Sequence, residues 1–366
     1  MAKDVLIIGG GVIGAACAYY LSGSDWQVTL IDQGEFGKGC SHANCGLVCP
    51  SHVLPLAGPG AVGRSLKALF RRNGPLSIRP RIDLGLWSWF WRFAGRCNRN
   101  DMLASGRAIE ALLSASRSLY DDLFRTESLD AEWETRGVLF VFLTPAAMDE
   151  YAHTDRLMRS EFGYGAVRYE GTELTELEPA LKPGLAGGWH HEGDAHLRPD
   201  KLMSSWRAVL ERRGVTIHEQ CAFRGFLPRS GRAEAAETSR GTLKADAFVV
   251  ATPFESGYRL GSIMEFAGYD ETLDPRRFQW LSGAAKHYLH EPSAEPVVER
   301  WYGWRPMTFD GKPIIDRSPA LANVVIAAGH NMLGLSMAPA TGKLVAELLG
   351  DLRPSIDVTP YSARRF

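Results

Sequence analysis

The chain has 366 residues, enough for about two domains of ordinary size. Its 45% apolar and 23% charged residues exclude a disordered or fibrous protein, and 41 basic against 42 acidic residues give no global field for nucleic acid. Glycine is the departure, at 38 residues or about one in ten against a usual share of about 7%, so the places where it clusters lead the reading.

The first apolar run, Val5-Leu6-Ile7-Ile8, reads as a strand buried on both faces. Gly9-Gly10-Gly11-Val12-Ile13-Gly14 follows, then a small-residue helix over 15–21 and a second strand over 26–31 that ends at Asp32. Residues 34–60 form a Gly-, Ser-, Asn- and Pro-rich loop, too long for an ordinary connection. Residues 62–130 read mostly as helix and include the aromatic cluster of Trp87, Trp89, Phe90, Trp91 and Phe93, which three Trp at spacing two assign to core or domain-interface packing rather than to a membrane. A strand over 137–143, helices over 146–162 and from Pro199 to about 213, and strands over 215–219 and 247–251 come next. The last part carries a strand candidate over 259–264, a helix over 274–289, a buried strand over 324–329 and a helix over 340–349. No internal repeat or linker separates domains, so they are expected to interleave.

The glycines at 9, 11 and 14 form a G-x-G-x-x-G between a strand and a helix, with an acid 23 residues after the first. Gly9 permits the tight turn, Gly11 lets a pyrophosphate approach the backbone, and Gly14 lets helix and strand pack closely. The helix N-terminus offers free N–H groups to phosphate, and Asp32 can accept from the two hydroxyls of a ribose. This acid selects against a 2′-phosphate and leaves both NAD and FAD open.

Six cysteines (Cys17, Cys40, Cys45, Cys49, Cys97 and Cys221) in a chain this long suggest a reducing compartment rather than a disulfide framework. The gaps between Cys40, Cys45 and Cys49 match no iron–sulfur pattern. His190, His191, Glu192, Asp194 and His196 are read as a solvated loop, and no metal is assigned. With no signal-like or membrane-length apolar run, the expectation is a cytoplasmic protein, at most peripheral to the inner membrane.

A second glycine-rich segment, Gly37-Lys38-Gly39-Cys40-Ser41-His42-Ala43-Asn44-Cys45-Gly46, carries a family resemblance. With Gly303-Trp304-Arg305-Pro306-Met307-Thr308-Phe309-Asp310-Gly311 and the stretch from Gly329-His330-Asn331 to Gly342, it resembles the D-amino-acid dehydrogenase, glycine oxidase and sarcosine oxidase group of FAD-dependent amine oxidoreductases, most of all the first branch. The resemblance implies an α/β chain with a Rossmann-like FAD domain of the glutathione-reductase type (1–60, 195–255 and 300–366). An α+β substrate domain with an antiparallel sheet (61–194 and 256–299) would interleave with it.

It further implies FAD as cofactor, with Gly9, Gly11, Val12, Ile13, Gly14, Asp32 and Gln33 around the ADP half and Phe223 and Ala251 nearby. Ser41 and Ala43 would lie near the pyrophosphate, and Asn44, Cys45 and Gly46 by the flavin ring. Gly329, His330, Leu333, Gly334, Leu335 and Ser336 would approach the pyrimidine edge. Arg305 matches the position that binds a substrate carboxylate, which its planar fork suits; the competing reading is an ion pair with Asp310. The implied reaction oxidises an amino acid, D or a related secondary amine acid, to an imino acid, with oxygen or quinone as electron acceptor.

One departure stands out. After the strand ending at Thr252 the family continues into several strands of the substrate domain, whereas here Pro253-Phe254-Glu255-Ser256-Gly257-Tyr258 follows at once, as if an internal block were missing. A substrate domain shortened in this way makes a non-catalytic flavin-binding protein or partner subunit the alternative.

Overall fold

Alternation along the first strand determines where the two layers of the core lie. In a computed structural model that describes residues 3–39, 41–42, 44–69, 76–78, 82–251, 264–266, 275–292, 297, 300 and 303–366, strand Lys3–Ile8 sends Val5 and Ile7 into one apolar cluster and Leu6 and Ile8 into another. The sheet is therefore buried on both faces. Its order is Thr216–His218, Trp26–Ile31, Lys3–Ile8, Ala247–Ala251, Val324–Ala328 and Ile314–Arg317, with all neighbours parallel except the last pair. The described helices are α1 (Val12–Ser22), α2 (Ala61–Leu69), α3 (Leu84–Arg96), α4 (Arg99–Glu127), α5 (Pro145–Phe162), α6 (Gly171–Leu177), α7 (Pro199–Arg212), α8 (Pro275–Ala285) and α9 (Gly334–Leu349). None is long and apolar enough to cross a membrane.

Helices α1, α4, α7 and α9 share the larger cluster on one face of the sheet. The approach of α9 to α1 depends on small residues: a β-carbon on Gly342 would stand 2.5 Å from the carbonyl carbon and oxygen of Ala16. Helix α9 begins six residues earlier than the expected start at 340, because Pro339 does not break it. Proline cannot donate to the carbonyl of Leu335, and the Tyr120 hydroxyl of α4 donates to that oxygen instead at 2.8 Å. Ser116 of the same helix accepts the next N–H, from Ala340, at 3.0 Å. A proline that would cost an isolated helix about 3 kcal/mol is thus accommodated by its neighbour.

The opposite face is covered by a three-stranded antiparallel meander, Phe223–Arg229, Arg232–Thr238 and Gly241–Lys244, which the sequence reading passed over. Its first hairpin turns at Ser230 and Gly231, both with positive φ (49° and 73°), the two-residue geometry that matches strand twist. Away from the nucleotide sheet lies a second antiparallel sheet, Val167–Tyr169, Gly187–His191 and Val138–Phe142, and a parallel pair of Leu76–Ile78 with Met264–Phe266.

Two expectations are corrected. The histidine- and acid-rich segment is not a solvated loop. His190 and His191 end strand Gly187–His191, Ala195–His196 is a strand against Leu47–Val48, and only Glu192 and Gly193 are exposed. Asp194 is buried because it caps a neighbouring loop, accepting from Ser51 N–H at 3.0 Å and from Ser51 Oγ–H at 2.6 Å. Nor does the tryptophan cluster pack in a core. No residue of α3 is buried; Trp87 and Trp91 are 59% and 83% exposed, and only Leu86, Trp89, Phe90 and Phe93 are half-buried, with Trp89 and Phe90 against Phe266. The strand candidate over 259–264 and the segment after Thr252 lie outside the described residues up to Met264.

The α1–α9 contact yields a test. Gly342→Ala is expected to destabilise the fold by about 1–3 kcal/mol, since the obstacle is backbone and cannot swing aside. A denaturant midpoint unchanged from wild type would contradict this packing.

Candidate active site

The carboxyl ends of strands Lys3–Ile8, Trp26–Ile31, Ala247–Ala251 and Val324–Ala328 open on one edge of the sheet, where doubly wound folds bind ligands. At that edge Gly9 has φ 108°, and any side chain there would collide with the carbonyl of Ala251. A β-carbon on Gly14 would likewise collide with the carbonyl of Gly9. These glycines bring the end of one strand, the start of α1 and the end of a neighbouring strand to a single point.

Helix α1 has no side-chain cap at Gly11 and no acid in its first turn, which leaves its positive end available to an anion. Beside it, the buried Ser41 hydroxyl accepts from the N–H of Val12 at 3.0 Å. Asp32 braces the same turn. Its carboxylate accepts from the N–H groups of Gly10 and Gly34, each at 2.7 Å. About two of its four acceptor positions remain for ribose hydroxyls. The segment leading to Phe223 is tied alongside, with Cys221 N–H donating to the Asp32 carbonyl at 2.7 Å, and Gln33 is exposed next to it. The residues present therefore fit an adenosine diphosphate along this edge.

The second half of the site is built by the far end of the chain. Gly329 has φ 74°, Leu333 is the N-cap of α9, and Gly334, Leu335 and Ser336 form its first turn. Ser336 Oγ donates to the carbonyl of Leu47 at 2.9 Å and accepts from the N–H of Cys49 at 3.3 Å, which brings the segment after Asn44, Cys45 and Gly46 against that turn. A cleft of about 350 Å³ opens beside Asn44 and Cys45, bounded also by Glu132, Glu134, His196 and Arg198. Ala43 lies outside the described residues.

Arg305 is exposed and lies within electrostatic range of Cys45, which borders this cleft. Burial lowers its pKa, a nearby Cys45 thiolate would raise it, and the side chain still reaches solvent. Asp310 does not take it as an ion-pair partner: that carboxylate is held by Arg365 Nε at 3.0 Å and by Lys312 Nζ at 3.4 Å.

A residue that the sequence reading left out of the site connects the two halves. Asn331, in the left-handed region at φ 53°, accepts from the N–H of Thr308 at 2.9 Å. It donates through Nδ2 to the carbonyls of Gly311 and Gly329 at 2.9 and 3.1 Å, and its own N–H reaches the carbonyl of Pro306. The loop of Arg305 is thereby fastened to the turn that opens α9. An asparagine at a tight turn between two glycine-rich blocks was the available signal, but its partners at Thr308 and Gly311 lie 20 or more residues away.

His330, also assigned to the cofactor, turns its side chain into the protein. Its Nε2 meets Thr341 Oγ1 at 3.0 Å, its Nδ1 has no hydrogen-bond partner among the described residues, and burial pushes its pKa down to about 3. It is a neutral ring, so any contact to a cofactor there falls to the backbone. The unfolded chain restores its ordinary value of 6.5 and takes up a proton that the folded site refuses. Its contribution to stability is full above that value and is lost as the pH falls toward 3, by up to about 1.4 kcal/mol per unit. Burial lowers His52 and His191 too, and they add to the slope. Urea unfolding between pH 7 and 5 is expected to show a shallower loss for His330→Gln than for wild type; equal slopes would contradict the buried neutral histidine.

Comparison with known proteins agrees with this geometry. The profile described as FAD dependent oxidoreductase matches residues 4–257 and 251–348, two pieces that meet where the sequence departs from the family. A D-amino acid dehydrogenase of Granulibacter bethesdensis is 29% identical over 423 aligned positions, covering 99% of this chain and 99% of the relative. That alignment is 57 positions longer than the chain's 366 residues, so at least that many of its positions have no counterpart here. A D-amino acid dehydrogenase of Paramagnetospirillum magneticum is 28% identical, covering 99% and 98%. Among solved structures, glycine oxidase from Geobacillus kaustophilus superposes with a TM-score of 0.73 at 20% identity, covering 100% of this chain and 99% of that one. L-amino acid deaminase from Proteus vulgaris gives 0.71 at 14%, covering 100% and 97%. Of the two dinucleotides left open by Asp32, FAD is the one this family uses. Matched by one profile over most of its length, the chain belongs to the FAD-dependent oxidoreductase family.

Proposed function

We propose that the protein oxidises an amino acid, a D-amino acid or a related secondary amine acid, at the carbon that bears nitrogen. FAD, held along the sheet edge by the Gly9–Gly14 turn, Asp32, Ser41 and the first turn of α9, would supply the acceptor for the hydride. Arg305 receives the substrate carboxylate in its planar fork, which directs the α-carbon toward the ring-binding segment at Asn44–Gly46. The amine reacts in its neutral form, and the imino acid released hydrolyses in water to the 2-oxo acid. No protein nucleophile or paired carboxylate is required, so the chain's work is to bind and orient.

The observation that carries this reading is the mounting of Arg305. Its loop is fastened through Asn331 to the turn that opens α9, and Asp310 is engaged elsewhere, so the backbone that carries Arg305 is held in place and its guanidinium is not consumed by that acid. Relatives named as D-amino acid dehydrogenases support the choice of substrate class. A second reading, flavin binding without turnover, is favoured by the positions, at least 57, that this chain lacks and by the two-piece family match.

Steady-state oxidation with an artificial electron acceptor tests the role of Arg305. Arg305→Ala is expected to lower kcat/KM on the order of a hundredfold, mainly through KM, with the bound-FAD spectrum retained. Wild-type kcat/KM in that variant would sink the carboxylate role. Asn331→Ala is expected to lower kcat/KM by about tenfold and stability by about 1–3 kcal/mol, as buried partners lose their hydrogen bonds; an unchanged KM would separate Asn331 from the positioning of Arg305.

A further inference from the structure

The loop that carries Arg305 is held at its far end by a second guanidinium. Arg365 lies in the short turn Ala363–Arg365, with its side chain 15% exposed. Its Nε donates to Asp310 Oδ2 at 3.0 Å, and its Nη2 donates to the carbonyls of Lys312 and Pro313, each at 3.1 Å. Nη1 donates to the carbonyls of Pro360 and Ser362 at 2.7 and 3.1 Å. These contacts occupy all five N–H groups of the guanidinium. Three of them reach the Arg305 loop and two reach the segment of Arg365 itself, so one side chain joins the two.

That segment is fastened to the nucleotide half of the molecule. Tyr361, fully buried, donates its hydroxyl to the carbonyl of Ala108 in α4 at 2.6 Å. Asp316, in the sheet strand Ile314–Arg317, accepts from Ser362 Oγ–H at 2.7 Å and from the N–H of Ala363 at 2.9 Å. Phe366 adds an edge-to-face contact to Phe309 of the loop, with ring centroids 5.0 Å apart. Charge neutralisation alone does not account for Arg365. Lys312 Nζ already stands 3.4 Å from the buried Asp310 carboxylate, so that acid has a cation of its own. What Arg365 supplies besides is a planar array of donors to two loop carbonyls, a task beyond an ammonium on a flexible stem.

We infer that Arg365 is a positioning residue for the substrate: it fixes the backbone from Asp310 to Pro313 and, through it, the place where the Arg305 guanidinium meets a carboxylate. The inference rests on the reading of Arg305 given above and adds the residue that keeps it in register. Asn331 holds the loop at Pro306 and Thr308 from the α9 side, and Arg365 holds its other end at Asp310, Lys312 and Pro313. A bidentate pair needs two parallel N–H···O bonds, and its affinity falls when the fork is displaced. Arg365 itself meets no substrate in this scheme. Its effect is therefore specific to ligands that bear a carboxylate and is exerted only through Arg305.

The FAD-loaded full chain is titrated with benzoate, a planar carboxylate with no amine to oxidise, and with benzamide, its neutral counterpart, while flavin absorbance is followed. Arg365→Lys is expected to weaken benzoate roughly tenfold and to leave benzamide unchanged, because lysine keeps the charge beside Asp310 and loses the fork. In an Arg305→Ala background the same substitution is expected to have no further effect on benzoate. Arg365→Ala is expected to regain benzoate affinity when guanidinium chloride is added at low concentration, which refills the vacated site and separates positioning from misfolding. Benzoate affinity unchanged in Arg365→Lys, while Arg305→Ala weakens it, overturns the inference alone. An equal loss for benzoate and benzamide, or an additive loss in the double variant, overturns it as well. Benzoate affinity unchanged in Arg305→Ala, or no benzoate binding by wild type, defeats the carboxylate role of Arg305 and this inference with it.

Discussion

The contact on which the rest of the structure depends is the backbone-close packing of α9 on α1 above the parallel sheet. Gly342 against Ala16, and Gly14 against Gly9, remove the side chains that would otherwise hold these elements apart. The two helices come from opposite ends of the chain, and each presents its N-terminus to the same sheet edge. Without that approach the turn at Gly9–Gly14 and the turn at Gly329–Gly334 would not meet at the same sheet edge. Helix α4 stabilises the arrangement by supplying Tyr120 and Ser116 where Pro339 leaves α9 short of its own hydrogen bonds.

The same contact carries the second tier of the site. From the opening turn of α9, Asn331 reaches Thr308 and Gly311, and Arg365 pairs with Asp310 and donates to the carbonyls of Lys312 and Pro313. Arg305 is thus mounted from the nucleotide side of the molecule. This explains how its loop keeps a defined place although the chain lacks at least 57 positions of the Granulibacter bethesdensis alignment. The antiparallel sheet of the other half shows three strands among the described residues, and Arg305 is open to solvent. An open pocket of this kind predicts weak discrimination between side chains of the substrate, since selectivity comes from walls that exclude alternatives.

Local chemistry made one part of this legible in the sequence. The strand, G-x-G-x-x-G, helix and Asp32 are short-range features whose spacing alone dictates their geometry, and the family blocks around Ser41, Arg305 and Gly329 pointed to the flavin. Contacts across more than two hundred residues were not legible. Tyr120 to Leu335, Ser116 to Ala340 and Ser336 to Leu47 have no local signature, and the start of α9 was misread because the neighbour that satisfies Pro339 is invisible from its own segment. The hairpin at Ser230-Gly231 was readable from its turn chemistry and was passed over. Helix α3 misled for a different reason: apolar residues on all sides normally indicate burial, and sequence alone does not say that one of those faces meets solvent. His191 and Asp194 misled in the opposite sense, since polar residues were buried by partners at Tyr151 and Ser51.

The central claim is that a flavin site assembled from both chain ends still performs amine oxidation with a shortened substrate half. It is tested most directly by loading the purified protein with FAD and following flavin absorbance without oxygen as D- and L-amino acids are added in turn. The account predicts the oxidised flavin spectrum on loading and its bleaching by at least one amino acid, most readily a D-isomer. A protein that takes up FAD and is bleached by none of them would contradict it.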